Sequence, residues 1–187
     1  LTFDAFNELD SLIALGILNR VKVPGWRVSI ASPTAQVRSM NGVRLDAQAS
    51  LHDACAADAV IVGSGMRTRE VVADAALMAQ LQLDPRRQLL AAQCSGTLIL
   101  AKLGLLDGVP ACTDLTTKPW VEEAGVSVLN QPFVAKGNVA RKVSVRTGRL
   151  LGERIEVVAG LDLGDQVVTE GAAWLDDNDP VRVLGGA

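Results

Sequence analysis

The sequence predicts an α/β domain, a mainly parallel sheet sandwiched by helices, with a small all-β piece at its C-terminal end. Two observations carry this. Over residues 1–140, strand-like and helix-like apolar runs alternate, the pattern of a sheet covered on both faces. After Ala140 the helical period disappears, and short β-type runs are punctuated by Gly148, Gly152, Gly160, Gly164 and Gly171. At 187 residues the chain is long enough to bury a substantial core.

Taken in order, Leu1 to Phe3 reads as the end of a strand whose start lies upstream, an expectation that the N-terminus is not the natural one. Asp10 to Val21 is predicted as a helix from Leu12, Ile13, Leu15, Ile17 and Leu18, closed by Pro24-Gly25. Trp26 to Ala31 follows as a strand. Val37 to Leu45 reads as a hairpin because Asn41-Gly42 is the strongest short hairpin signal. Ala59 to Val62 is a buried strand ending at Gly63-Ser64-Gly65, and Arg67 to Leu81 is helical up to the breaker Asp84-Pro85. Gln88 to Ala92 is a strand, Ser95 to Leu103 a helix and Asp107-Gly108 a turn. Thr116 to Ala124 and Val126 to Leu129 form a last short αβ unit. In the tail, Arg141 to Arg146, Arg154 to Val158, Gln166 to Thr169 and Val181 to Leu184 are the β-type runs.

Bulk properties exclude several function classes. The net charge is −3 with no Lys/Arg-rich block, so nucleic acid and anionic membrane are poor partners. No apolar run approaches the ~20 residues of a spanning helix, and no secretory signal is visible. The three cysteines, Cys55, Cys94 and Cys112, show no pairing pattern, which points to a reducing, cytoplasmic compartment. With no CxxC pair and a single histidine, His52, no metal site is expected, and no cofactor motif is present. His52 sits in a segment read as a solvated loop. A small-molecule substrate is the expected partner, and a homodimer is left open.

The stretch LLAAQCSGTLILA, Leu89 to Ala101, puts Cys94 on the corner between a strand and a helix. In a parallel sheet that corner faces the ligand crevice, and its neighbours must be small, as Ser95 and Gly96 are. The following helix N-terminus favours the thiolate, so a lowered thiol pKa is expected. Burial as a structural cysteine is the alternative. Asp10 has two readings as well, a plain N-cap of the helix it opens or an acid serving the site. Gly63-Ser64-Gly65 alone is only a loop, not a dinucleotide fingerprint.

AAQCSGTLILAKLGLLDG, with DAVIVGSG upstream and the acidic FNELD turn near the start, resembles the ThiJ/PfpI superfamily of the class I glutamine amidotransferase-like fold over residues 1–140. The resemblance implies a flavodoxin-like sandwich with Cys94 as a nucleophile-elbow cysteine. It is nearest to the isocyanide hydratase branch, a lyase. It implies that Asp10 is the acid that hydrogen-bonds the thiolate, with Glu8 as the weaker candidate. It further implies that Gly63, Ser64 and Gly65 supply backbone N–H groups to an oxyanion site. Ser95, by its N–H and hydroxyl, would help orient substrate. Many hydrolytic members carry a histidine where this chain has Asp114, which argues against Cys-His peptidase chemistry.

From Arg141 the sequence RKVSVRTGRLLGERIEVVAGLDLGDQVVTEGAAWLDDNDPVRV resembles the membrane-proximal β-domain of periplasmic adaptor (membrane fusion) proteins of efflux pumps. On this reading the chain is chimeric. Residues 1–140 are a ThiJ/PfpI-like domain truncated at both ends, and residues 141–187 are an adaptor-like piece expected to form its own β-unit, or to pair loosely at an edge, without replacing the missing last helix; one integrated sheet is the alternative. The function expected is a cysteine-dependent hydratase or lyase of small electrophiles. A ligand- or redox-sensing α/β module without catalysis is the alternative, and an efflux-adaptor role rests on the tail alone.

Overall fold

The computed structural model describes residues 1–131, 143–152, 154–161 and 167–168. The chain divides into two compact units, Leu1–Val134 and Ala135–Ala187. The join expected at residue 140 lies outside the described residues, as does the run Val181 to Leu184. Among the described residues, no helix is long and apolar enough to cross a membrane.

The first unit opens with helix α1 (Glu8–Leu18), which Asn7 caps by accepting from the Leu9 N–H. Strands β1 (Gln36–Arg38) and β2 (Arg44–Asp46) then pair antiparallel, Val37 opposite Leu45. Their turn holds Gly42 at φ 92, a conformation open to glycine, as the Asn41-Gly42 signal predicts. Helix α2 (Leu51–Ala56) leads to β3 (Ala59–Val62), and α3 (Thr68–Ala73) and α4 (Ala75–Met78) lead to β4 (Leu89–Ala92). Strands β3 and β4 are parallel, with Ala59 opposite Leu89 and Val62 opposite Ala92. Helix α5 (Gly96–Lys102) and helix α6 (Lys118–Glu123) complete the unit. The other edge of β3 is taken by the first residues. Leu1 donates to Ile61 O and accepts from the Gly63 N–H, while the Thr2 N–H donates to Ala31 O. An α/β unit with a parallel pair at its centre is therefore the observed class.

Three expectations are corrected. Trp26 to Ala31 forms no continuous strand. The Trp26 indole N–H donates to Leu18 O at 2.8 Å, and the Asn19 side chain bonds both Val28 N and O, which ties this segment to the end of α1. Only Ile30 and Ala31 reach the sheet. The helix expected over 67–81 breaks at Asp74, which is extended (ψ 93) and whose carboxylate accepts from the Leu77 N–H to open α4. A short acidic side chain competes with the helix for backbone donors. His52, read as a loop residue, lies on α2. The signal was available: Ser50 and Asp53 form a reciprocal capping box.

Helix α5 is the centre of the packing, with Gly96 to Ala101 all buried. Ile99 and Leu100 join Phe3, Leu51, Val60, Val62 and Val71 in one apolar cluster, and Leu98 and Ala101 join Ala111, Val121 and Val126 in another. A helix apolar on all sides is a buried one. Its first turn touches β3: a Cβ on Gly96 would overlap the Val62 carbonyl oxygen and lie 2.9 Å from Gly63 O. Thus the residue after the elbow must be glycine for α5 to lie against the sheet.

In the second unit, β5 (Arg146–Leu151) and β6 (Arg154–Ala159) form an antiparallel hairpin with register shifts between its ends. The run expected at Arg154 to Val158 falls within β6, whereas β5 begins where the expected run Arg141 to Arg146 ends and holds Gly148 inside it; Gly152, at φ 65, lies between the two strands.

Candidate active site

Strand β4 stops at Ala92, and the Gln93 N–H still pairs with Val62 O at 2.9 Å. The chain then turns within one residue. Cys94 takes φ 48, and the Gly96 N–H folds back onto Gln93 O at 2.8 Å. A non-glycine residue in the left-handed region costs roughly 1–2 kcal/mol, and such residues cluster at functional sites. The turn leaves Cys94 exposed at the strand end.

The thiol points to a carboxylate. Cys94 Sγ donates to Asp114 Oδ2 at 3.2 Å. The other oxygen of Asp114 accepts from the Thr116 and Thr117 N–H groups, each at 2.9 Å, so the carboxylate is fixed by the turn that leads into α6. Thr113 Oγ1 donates to Cys94 O at 2.8 Å, fastening the same loop to the elbow. Partial burial raises the Asp114 pKa, but hydrogen bonds from Thr117 and Cys94 outweigh it and bring the group below its usual value.

The lowered thiol pKa expected from the helix N-terminus is not what this geometry produces. Partial desolvation of the sulfur by the protein around it, the hydrogen bond to Asp114 and the negative charges of Asp114 and Asp10 push Cys94 up to about 11. The Ser95 backbone N–H acts in the opposite direction and is outweighed. Desolvation first, and the two carboxylates after it, outweigh one backbone donor.

Of the remaining expected residues, Asp10, Ser64, Gly65 and Ser95 form a hydrogen-bonded group beside the elbow, in roles other than those expected. Asp10, on α1, accepts from Ser64 Oγ rather than from the thiol, although its charge reaches Cys94. Ser95 Oγ is buried, 2.9 Å from Thr68 Oγ1, and accepts from the Gly65 N–H at 3.2 Å. The Gly63 N–H is bonded to Leu1 O at 2.9 Å. The N–H groups of Gly63 and Gly65 thus bond within the protein, whereas the Ser95 N–H favours the Cys94 thiolate. Gly63 and Gly65 also allow close packing: a Cβ would lie 2.9 Å from Ser11 Oγ at the first and 2.8 Å from Ala5 O at the second. Glu8 accepts from Ser39 Oγ and from the Asn41 backbone and side-chain N–H groups, which ties α1 to the β1–β2 hairpin. His52 borders a groove of about 270 Å3 with Leu51, Cys55, Gln80 and Gln82, a depression that Cys94 does not line. Asp114 is the residue that sequence reasoning noticed only as a substitution for histidine. Its partner across 20 residues could not be read from the chain alone.

A profile of the DJ-1/PfpI family matches residues 1–155, and the chain belongs to that family. Solved structures share the fold at low identity. A two-domain protein from Anabaena variabilis with DJ-1/ThiJ/PfpI-like and ferritin-like domains has a TM-score of 0.62 at 22% identity, covering 72% of this chain and 40% of its own. Schizosaccharomyces pombe DJ-1 has a TM-score of 0.59 at 18% identity, covering 72% of this chain and 76% of its own. A cysteine-to-alanine mutant of a DJ-1 superfamily protein from Salmonella typhimurium has a TM-score of 0.61 at 23% identity, covering 73% of this chain and 75% of its own. This chain therefore spans less than half of the two-domain protein. No curated protein matches the chain. The likeness extends to the flavodoxin-like α/β fold.

A pH profile follows from the thiol's surroundings. The thiolate is the reactive form, so iodoacetamide labelling of Cys94 should keep rising towards pH 11 and not level off near 9. A pKa two units high leaves about a hundredfold less thiolate at neutral pH, which the greater nucleophilicity of a more basic sulfur offsets to about tenfold in rate. Asp114→Asn should move the profile to lower pH. Peptide-resolved labelling between pH 6 and 11 measures both; a plateau near pH 8 in the unmodified protein would contradict the expected order of charges.

Proposed function

We propose that the α/β unit is a cysteine-dependent hydratase of small electrophiles, with isocyanides as the substrate class. The observation that supports this reading is an exposed, left-handed Cys94 whose S–H is already hydrogen-bonded to a carboxylate, Asp114, at 3.2 Å. A protonated thiol with an adjacent base suits addition of S–H across a multiple bond. Cys94 Sγ bonds to the terminal isocyanide carbon as its proton passes to Asp114. Asp114 returns that proton to the same carbon, giving a thioimidate, R–N=CH–S–Cys94. Water adds to this carbon, the C–S bond breaks, nitrogen and sulfur gain protons, and R–NH–CHO leaves. One water is consumed and one N-formamide formed, with no change of oxidation state overall and no cofactor required. The Ser95 N–H would hold negative charge as it develops, and Asp10 would position the turn through Ser64. The same reading takes a small molecule as sole partner of the catalytic unit, without nucleic acid or membrane, in a cytoplasmic protein that can form a homodimer. For residues 141–187 we propose an adaptor-like β-unit on the strength of the sequence resemblance alone; the β5–β6 hairpin fits any small β-unit, and its residues 146–155 also fall within the family match.

The raised thiol pKa favours a second reading, a binding or redox-sensing module whose cysteine does not turn over. One experiment separates them. Protein mixed with an alkyl isocyanide should accumulate N-formamide, and Cys94→Ala should reduce this to background. Absence of turnover above the Cys94→Ala control, with Cys94 alkylated no faster than Cys55 and Cys112, would favour the second reading.

A further inference from the structure

We propose that the Cys94 site selects neutral and cationic electrophiles and rejects anionic ones, Asp114 and Asp10 setting the preference. The inference rests on Cys94 as the reacting group of the proposed function but concerns which molecules can approach it.

The charges around the sulfur are one-sided. Asp114 Oδ2 lies 3.2 Å from Sγ, and Asp10 is the second negative charge acting on it. Helix α1 carries Asp10 and contains no lysine or arginine. Two of the cations on the neighbouring elements have acidic partners, and a third lies on an aromatic ring. Arg67 bonds Glu70 and lies 4.0 Å from Asp4, Lys118 lies 3.7 Å from Glu122, and Arg69 stacks 4.5 Å over Trp120. An incoming anion would therefore meet the Asp114 carboxylate at the sulfur itself, with Asp10 adding to the repulsion. At close range and partial burial, salt screens such repulsion only in part.

Methanethiosulfonates of one size and differing charge test the preference without any turnover. Each forms a mixed disulfide with Cys94 as the sulfur displaces methanesulfinate, and the thiol proton goes to solvent. With the trimethylammonium-ethyl and sulfonato-ethyl reagents, the full chain should label at Cys94 at least tenfold faster with the cation, after normalising each rate to free cysteine. Peptide mass mapping separates Cys94 from Cys55 and Cys112. Asp114→Asn, which keeps an oxygen for the Thr116 and Thr117 N–H groups, should bring the ratio to within about threefold of one. Asp10→Asn, tested in parallel, should lower it by a smaller factor and serves if the first variant does not fold. A normalised ratio near one in the unmodified protein, or a ratio unchanged in every folded variant, would overturn the proposal. A preserved ratio without N-formamide formation would remove the hydratase reading and leave the charge selection standing; turnover with a flat ratio would do the reverse.

Discussion

Alanine at position 6 is expected to remove about 3–5 kcal/mol of stability, the usual cost of emptying a buried phenylalanine site. Phe6 is 1% exposed and occupies the crossing of three pieces of chain. Its backbone bridges Ser39 in parallel and Gly65 antiparallel, and its carbonyl accepts from the Met40 N–H at 2.9 Å. The side chain therefore seals the place where the start of α1, the β1–β2 hairpin and the turn after β3 come together. A domain of this kind has about 5–15 kcal/mol in total, so the loss is a large fraction of it. Urea unfolding followed by circular dichroism should show a lower midpoint with an unchanged slope. A loss under about 1 kcal/mol would mean that the three pieces hold together without this ring, contrary to its burial.

The second large effect sets two terms of opposite sign against each other. Gly96→Ala improves helix propensity in α5 by up to about 1 kcal/mol. It also drives a methyl group into the Val62 carbonyl oxygen and to 2.9 Å from Gly63 O, both on backbone that β4 and the first residues hold in place. Overpacking against groups that cannot yield costs about 1–3 kcal/mol, and contact with a carbonyl belongs at the upper end. The clash should win, leaving the variant about 1–2 kcal/mol less stable. Gly16 is the internal control, since a Cβ there meets nothing within 4 Å. Gly16→Ala should raise the melting temperature while Gly96→Ala lowers it. Equal shifts in the same direction would show that propensity alone decides and that α5 has room to move.

Much of the α/β unit was legible because its signals are local. The Asn41-Gly42 turn, the apolar run of β3 and the strand–Cys–Ser–Gly–helix order each need only neighbours in sequence, and each is present in the structure. Misreadings arose where side chains more than a few residues apart compete for the backbone. Trp26 reaching Leu18 O withdraws a β-like segment from the sheet, and Asp74 interrupts a run whose apolar spacing alone predicts one helix. The elbow itself could be read, but its electrostatics could not. A helix N-terminus is visible in sequence, whereas the 3.2 Å contact between Cys94 and Asp114 depends on how the α6 loop returns across the strand ends. The sign of the thiol shift follows from that return. Asp10 shows the same limit: its position near the site was readable, its bond to Ser64 was not.

The left-handed backbone at residue 94 also bears on how such a chain changes over generations. Glycine would adopt φ 48 without strain, so a population kept only for folding would gain by exchanging the cysteine for glycine. Retaining a side chain there opposes the drift that stability alone would impose. The elbow is thus a position where selection for a folded protein and selection for a reacting one pull apart, and where a relative with glycine would have kept the architecture while abandoning the chemistry.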